Sequence, residues 1–388
     1  MMDTKDSANG EAELLQTFEW FHRHPELSFQ EFGTTEKIRA LLDAAGIRIL
    51  DLPLETGLVA EIAGPQPGPA VAVRCDIDAL PIKELTDLPY RSENDGKMHA
   101  CGHDFHTTAM LGAARLLKKR EKKLAGSVKV IFQPGEESSL GALKITETGV
   151  LDGVRAIFGI HVIPNVPVGT VVISPGAMTA AVDRFEITFT GKGVHAAYPQ
   201  NGVDPVVAAA QFISAAQTVV SRNIDPFHPG LVSITHVDSG STWNVIPSTA
   251  FLEGTVRTLK KEDRALIPKR LEELAENIAR AFRAKADFRW IAGPPATDND
   301  PAWTEFARKV AAENGLKAVP ATPALGGEDF AFYQQTLRGV YIQIGTGPSE
   351  SNHNPKFRAD PQALPAAAAY VASLAEKALS ALKSGEAT

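Results

Sequence analysis

The sequence has few of the features that mark secreted or membrane proteins. Its 388 residues contain only two cysteines, too few for a disulfide-stabilised scaffold. No apolar run approaches the ~20 residues of a transmembrane helix. The polar N-terminal stretch MMDTKDSANGEAELL also lacks the apolar core of a signal peptide. We therefore expect a cytoplasmic protein.

The sequence also lacks an excess of positive charge. Its formal net charge is −7, with 39 Lys and Arg against 46 Asp and Glu. Nucleic acids and anionic membranes are bound through clustered positive charge, so neither is an expected partner. A hydrophobic fraction of 44% and a charged fraction of 22% are typical of a globular enzyme. Small solutes are the expected ligands.

The chain is longer than one hydrophobic core usually supports, so we expect two domains. Residues 1–179 alternate helical and strand patterns, which predicts an α/β fold with a mixed, mostly parallel sheet. Residues 180–293 alternate strands with two helical stretches, which is typical of an α+β block with antiparallel strands. The first pattern resumes over residues 294–388. The sequence thus predicts an α/β domain that is split around an inserted α+β block.

The segment MHACGHDFH concentrates side chains that bind metals. Cys101 and His103 are two residues apart, and we place both in a loop before a helix that spans His106 to Arg120. In an extended loop, residues i and i+2 project to the same side and can reach one metal ion or a pair. Taken alone, the segment fits a solvated His-rich turn with a buried Cys equally well.

The segment VKVIFQPGEESS ends a predicted strand with two adjacent carboxylates, Glu136 and Glu137. Adjacent residues point in different directions, so one can bind metal while the other faces a substrate. This suits metal-assisted hydrolysis, in which a metal lowers the pKa of water toward ~7 and a nearby carboxylate accepts the proton. A solvated acidic turn is the alternative.

Two histidines follow later strands. His161 comes at the end of the apolar run AIFGI, and His353 lies in the polar loop SESNHNP. Alone, the first would more often be a core histidine and the second a surface residue. Because the Cys/His segment, the Glu pair and these histidines follow successive strands in order, a common site is expected. Zn, Mn, Co or Ni accept such a mixed set of S, N and O donors.

Ten short motifs in a fixed order make the sequence similar to a known family. They are HRHPELSFQE, RCDIDALPI, MHACGHDFHTTAMLGAA, FQPGEE, FGIHV, GKGVHAAYP, NVIP, GTVRT, GGEDF and SNHNP. The sequence resembles the aminoacylase and hippurate hydrolase family of di-metal amidohydrolases and peptidases, which includes auxin-conjugate hydrolases and N-acetyldiaminopimelate deacetylases. The resemblance implies two divalent metal ions and hydrolysis of the amide bond of N-acyl amino acids.

The resemblance also implies roles for individual residues of the α/β part. Glu136 is implied as the general base, and Asp76 as a supporting carboxylate that orients a metal ligand. Asp76 can also be interpreted as a strand-end carboxylate that caps a turn. The implied metal ligands are Cys101, His103, Glu137, His161 and His353.

The inserted block resembles the family's lid and dimerisation domain. Its His195 corresponds to a histidine that reaches the partner's active site in a homodimer, where a donor can stabilise an oxyanion. Asn244 and Arg257 are implied to hold the substrate carboxylate, which an Arg fork matches bidentately. Gly326 and Gly327 are implied to let the chain approach the substrate closely.

The chain departs from the family pattern at two places, and two rival functions stay open. Arg74 stands where distant dipeptidase and carboxypeptidase relatives carry a metal-binding His, which leaves that coordination to Cys101. Gln200 follows Pro199 where members often have Pro-His. The rivals are a dipeptidase or carboxypeptidase and a non-catalytic metal or peptide binding module. Binding alone would not require Glu136 beside a ligand.

Overall fold

The computed structural model describes residues 4–385, and its helices alternate with strands along the chain. Within these residues the α-helices are α1 (Thr4–Arg23), α2 (Phe32–Ala44), α3 (His103–Lys119), α4 (Gly141–Glu147), α5 (Pro205–Asn223), α6 (Lys261–Ala281), α7 (Pro301–Glu313) and α8 (Leu364–Ser384). No described helix is both long and apolar enough to cross a membrane.

The strands of the described residues fall into two larger sheets and two short ribbons. They are β1 (Arg48–Ile49), β2 (Leu58–Ala63), β3 (Ala70–Asp76), β4 (Ser127–Gln133), β5 (Val154–Ile163), β6 (Thr170–Val172), β7 (Gly176–Ala177), β8 (Ala181–Thr190), β9 (Val194–His195), β10 (Gly230–Asp238), β11 (Val245–Ile246), β12 (Thr249–Thr258), β13 (Lys285–Ile291), β14 (Asp298–Asn299), β15 (Lys317–Val319) and β16 (Gly339–Gly345).

Eight strands form one mixed sheet in the order β1-β2-β4-β3-β5-β16-β6-β15. The neighbours β4, β3, β5 and β16 are parallel, whereas β1 and β2 run antiparallel at one edge. Parallel strands end at the same edge of a sheet, so the segments that follow these four strands lie together there. The expected α/β fold with a mixed, mostly parallel sheet is confirmed.

Both faces of this sheet are covered by apolar packing. Along β3, Val71 and Val73 belong to one core cluster and Ala72 to another, as the two-residue period of a strand requires. Helices α3 and α8 pack closely on each other, because a Cβ atom on Gly112 would lie only 2.8 Å from Cβ of Ala368. The small residues of these two helices thus allow them to approach each other closely.

The backbone divides into two compact units. The first extends to Met178 and resumes over Asp298–Thr322 and from Asp329 onward, and the second comprises Thr179–Thr297 and Pro323–Glu328. The second unit contains an antiparallel sheet in the order β10-β12-β8-β13, whose buried residues pack on α5 and α6. The predicted domain boundaries after residues 179 and 293 stay a prediction.

Two element positions differ from the sequence-based expectation. Helix α3 begins at His103 and not at His106, so His103 belongs to a helix and not to the preceding loop. Gly102 has a φ of 84°, which turns the chain, and its carbonyl accepts the first helical hydrogen bond from His106 N–H at 3.1 Å. The helical pattern of the sequence predicts a first helix from Glu11 to His22, whereas α1 begins at Thr4.

Candidate metal centre

The predicted metal ligands of the first unit converge at the carboxyl edge of the parallel strands. Glu136 and Glu137 begin a short helical turn after β4, and His161 lies two residues before the end of β5. Cys101 lies two residues before α3, His103 is the first residue of α3, and His353 lies in the loop after β16.

Cys101 lies at the centre of the cluster. Its Sγ forms one group with ring nitrogens of His103 and His161, and a second group with Glu137 and His353; within each group the donor atoms lie within 4.8 Å of one another. The distance from Sγ to His161 Nε2 is 3.4 Å. Two groups that share one thiol match the donor arrangement of a two-metal site.

The charge state of Cys101 follows from its surroundings. Burial acts to raise the pKa of the Cys101 thiol, but the neighbouring histidines, His161 first, outweigh it and lower the pKa to about 6. A thiolate is the form of cysteine that binds metal ions. The electrostatics at the thiol therefore favour a ligand.

The loop that carries His353 is tied to the Cys101 loop. His353 N–H donates to the carbonyl of Ala100 at 2.8 Å, and the Asn352 amide donates to the carbonyl of Cys101 at 3.3 Å. His353 has a φ of 66°, a conformation that costs a non-glycine residue energy. Its Nε2 lies 3.4 Å from Glu137 Oε1.

The donor set passes a chemical test for a bound divalent cation. His103 Nε2 is buried and makes no hydrogen bond with any described residue. An unpaired buried nitrogen is costly, and it lies 3.9 Å from Glu137 Oε1. A cation coordinated by both groups removes this cost, and thiolate, imidazole and carboxylate donors suit zinc, manganese, cobalt or nickel.

Glu136 lies beside this cluster in a different orientation from Glu137. It is 9% exposed, and its carboxylate lies within 4.8 Å of donor atoms of His103 and Glu137. The backbone N–H of Asp329 approaches its Oε1 at 3.4 Å. Gly135, with a φ of 64°, turns the chain immediately before the two glutamates.

Asp76 and His106 pair with each other. Asp76 Oδ1 accepts a hydrogen bond from His106 Nδ1 at 2.5 Å, and Val162 N–H donates to His106 Nε2 at 2.8 Å. Both nitrogens of His106 are thus used, and burial, which outweighs the attraction of Asp76, lowers its pKa to about 3. Asp76 Oδ1 lies 3.8 Å from His103 Nε2, which is too far for a hydrogen bond. The orienting role expected for Asp76 stays a prediction.

Arg74 is a fully buried cation in β3. Its guanidinium donates to Gln133, Asp76 and Asp329 at 2.7 to 2.8 Å. A charge that is buried away from water must be paired and hydrogen-bonded in this way. Arg74 therefore holds the carboxylates of Asp76 and Asp329 in place.

Sequence reasoning missed two other buried carboxylates, Asp78 beside the cluster and Asp104 in contact with His22. Asp78 lies 3.2 Å from His103 Nδ1, and Asp104 lies 2.6 Å from Nδ1 of His22. The two-residue spacing of Asp76 and Asp78 in RCDID was a signal that both could face the same region. The contact between Asp104 and His22 joins residues 82 positions apart and had no local signal.

His195, the predicted oxyanion donor, and the predicted substrate-binding residues lie in the second unit, where four of the five form two pairs. His195 in β9 is opposite Val245 in β11, and Ala196 N–H donates to the carbonyl of Asn244 at 2.9 Å. Arg257 Nη1 is 3.8 Å from the position of a Cβ atom on Gly327.

The space around the two glycines differs. A Cβ atom on Gly327 would lie 2.3 Å from Val182 Cγ2, so packing alone already requires a glycine there. Gly326 has open space at the same position. Its carbonyl accepts a hydrogen bond from Ala180 N–H at 2.9 Å.

Comparison with known proteins identifies the family. The model of peptidase family M20/M25/M40 matches residues 72–377. The chain belongs to this family. The resemblance inferred from the ten motifs is thereby confirmed, and so is the expectation of a hydrolytic enzyme.

Several individual members are similar over nearly the whole chain. An N-acetylcysteine deacetylase of Bacillus subtilis is 50% identical over 363 residues, which is 93% of this chain and 96% of that protein. The IAA-amino acid hydrolase ILR1-like 4 of Arabidopsis thaliana is 38% identical over 373 residues, 93% of this chain and 84% of that protein. The crystal structure of Bacillus subtilis YXEP protein, described as a dinuclear metal binding peptidase, has a TM-score of 0.88 and 45% identity and covers 96% of this chain and 99% of that chain.

Proposed function

We propose that this M20 family member hydrolyses the amide bond of N-acyl amino acids, releasing a carboxylic acid and a free amino acid. The observation that carries the proposal is the position of Glu136 beside two donor groups that share Cys101. Relatives named as an N-acetylcysteine deacetylase and an IAA-amino acid hydrolase support the substrate class.

Five side chains would hold two divalent metal ions. The ligands are Cys101, His103, Glu137, His161 and His353. The dinuclear metal binding described for the YXEP protein supports the number of ions. Zinc, manganese, cobalt and nickel are the candidate metals, because each accepts this mixture of S, N and O donors.

When bound, the ions would supply Lewis-acid polarisation of the amide carbonyl and a lowered pKa for the attacking water. Glu136 accepts the proton of that water and returns it to the leaving nitrogen. The nitrogen therefore leaves as a neutral amine and not as an anion. The contact of Asp329 N–H with Glu136 Oε1 helps to keep the carboxylate oriented. Burial of Glu136 limits competing water at the same carboxylate.

The second unit would bind the rest of the substrate. Arg257 and Asn244 hold the carboxylate of the amino acid, and Gly326 and Gly327 let the chain approach the substrate closely. His195 serves the metal centre of the partner protomer in a homodimer and stabilises the oxyanion there. The exposure of His195 and its position on a two-stranded ribbon are compatible with such a role.

A hydrolysis screen tests the proposal. Metal-reconstituted enzyme is offered acetyl, benzoyl and indole-acetyl amino acids beside the corresponding unblocked dipeptides. We expect turnover of the acylated compounds. Turnover of dipeptides alone would identify a dipeptidase or carboxypeptidase instead. Tight metal binding without any hydrolysis would favour the non-catalytic binding module.

A further inference from the structure

We propose that Glu31 is a positioning residue that holds the general base Glu136 through the turn that precedes it. The inference rests on the proposed function, because it requires Glu136 to be the base. It gives a role to the motif HRHPELSFQE, which ends at Glu31 and which the family resemblance left without one.

The carboxylate of Glu31 contacts the turn at Gly135. Glu31 is 0% exposed, and its Oε1 accepts a hydrogen bond from Gly135 N–H at 2.8 Å. The two residues are 104 positions apart in the sequence, so only the fold creates this contact. Gly135 directly precedes Glu136. The carboxylate therefore fixes the backbone one residue before the proposed base.

The side chain of Glu31 does not serve its own helix. Glu31 is the N-cap residue of α2, yet its side chain forms no capping hydrogen bond. The amides of Gly33 and Thr34, which an N-cap side chain usually satisfies, donate to the carboxylate of Glu26 at 3.1 and 2.7 Å. The carboxylate of Glu31 is thus left for its contact with Gly135.

Burial of the Glu31 carboxyl group has an energetic cost. Burial, followed by the charge of Asp78, raises the pKa of Glu31 to about 7, although hydrogen bonds to the carboxylate act to lower it. A raised pKa means that the fold disfavours the ionised form. An amide or an apolar side chain would avoid this cost, so the stability of the fold alone does not explain a carboxyl group at this position.

The start of α2 and the segment before it also pack closely on the turn. A Cβ atom on Gly135 would lie 2.5 Å from the ring of Phe29. Thr35 Oγ1 accepts a hydrogen bond from Gly57 N–H at 2.8 Å, and a Cβ atom on Gly57 would lie 2.5 Å from Cδ of Pro134. These contacts leave little room for Pro134 and Gly135 to move.

Two different carboxylates hold the backbone on either side of Glu136. Glu31 accepts from Gly135 N–H, whereas Asp78 Oδ2 accepts from Glu137 N–H at 3.0 Å. Loss of the first contact should displace Glu136 while the contact that holds the proposed ligand Glu137 is kept. A displacement of about 1 Å at a reacting group can lower the rate by about 10²-fold.

Turnover of N-acetylcysteine, the compound in the name of one relative, is the first measurement. Glu31→Met keeps the length of the side chain but has no acceptor. We expect it to lower kcat of the metal-reconstituted enzyme about 10- to 100-fold, with KM and metal content unchanged. Glu31→Gln keeps an acceptor for Gly135 N–H and should recover most of this loss. Equal kcat in Glu31→Met and wild type would overturn the inference.

Glu31→Asp separates positioning from stability. Aspartate is a preferred N-cap residue, so we expect it to cap α2 and to keep the melting temperature. Its side chain is one methylene shorter and should not reach Gly135 N–H, so kcat should fall as in Glu31→Met. Should Glu31→Met not fold, Glu31→Asp decides alone. Wild-type kcat in Glu31→Asp would overturn the inference, and a lower kcat would support it.

Glu26→Met is the matched control, because it makes the same change in the same motif. It removes the carboxylate that caps α2 and should lower the melting temperature, while kcat stays at the wild-type value. If Glu26→Met lowers kcat as much as Glu31→Met does, the effect comes from the stability of α2 and the inference is overturned.

Glu136→Gln separates this inference from the proposed function. If Glu136→Gln turns over N-acetylcysteine as wild type does, the assignment of the base fails. If Glu136→Gln loses activity and Glu31→Met does not, only the positioning role of Glu31 fails.

Hydrogen–deuterium exchange at the Gly135 amide needs no substrate and gives a second readout. We expect faster exchange in Glu31→Met than in wild type and Glu31→Gln, because the amide loses its acceptor. Equal exchange in all three proteins would overturn the inference whatever compound the enzyme hydrolyses.

Discussion

The two units hold their functional candidates in different ways. In the first unit, Cys101 and His103 are buried, and His103 has a supporting carboxylate. In the second unit, His195 is exposed on a ribbon of two-residue strands, and Asn244 and Arg257 are partly exposed. Cys101 and His103 are held by their own fold to a degree that the second set is not, whereas His353 of the first unit is exposed like His195.

The difference follows from what each set must bind. Metal ions require donors at nearly fixed distances, so ligands that are held before binding lose little freedom on coordination. Groups that bind a flexible substrate can be ordered by the substrate itself. Changes in the first unit should therefore act on metal content or on chemistry, and changes in the second unit on turnover and substrate affinity with the metals retained.

The largest effect is expected for His161→Ala. Loss of one ligand should remove bound metal, and activity should fall to the background of uncatalysed hydrolysis. Elemental analysis of the purified protein measures the metal content. His236→Ala, an exposed histidine of the second unit, is the control and should keep both ions. Two retained ions in His161→Ala would contradict the ligand assignment.

Glu136→Gln should separate chemistry from metal binding. We expect kcat to fall by about 10²- to 10⁴-fold, the usual contribution of a general base, with metal content and melting temperature unchanged. Steady-state kinetics and elemental analysis give the two readouts. Near wild-type kcat would remove Glu136 from the mechanism.

His195→Ala tests whether a group of the second unit contributes to turnover without holding metal. Removing one oxyanion donor should lower kcat by about 10²- to 10³-fold with both ions retained. If His195 serves the partner's site, mixing His195→Ala with Glu136→Gln should restore up to about a quarter of wild-type activity through two-fold symmetric mixed dimers. Confirmed subunit exchange without such recovery would show that His195 does not act across the dimer.

The smallest effect is expected for Arg257→Lys. Lysine keeps the charge but loses the planar fork, so KM should rise about 10-fold with little change in kcat. Arg289→Lys, two strands away on the same face of this sheet and exposed, is the matched control. A fall in kcat with unchanged KM would mean that Arg257 does not hold the substrate carboxylate.

The order of elements and the ligand-bearing segments could be predicted from sequence because they depend on local patterns. Strand periodicity identified β4 and β5, and polar residues at their ends indicated Glu136, Glu137 and His161. The start of α3 could not be predicted correctly. It depends on Gly102, whose positive φ places His103 in the first helical turn.

The sequence by itself determined the kinds of donor atoms, their order along the chain and the family, since these are properties of residue identity and spacing. Only the tertiary structure decided which carboxylate contacts which histidine. Asp76 and Asp78 are equivalent candidates in RCDID, yet Asp76 pairs with His106 and Asp78 with His103. The reason is physical, because these contacts join residues 25 and 30 positions apart. Their distances are set by the parallel pairing of β3 with β4 and by the position of α3, which carries both histidines.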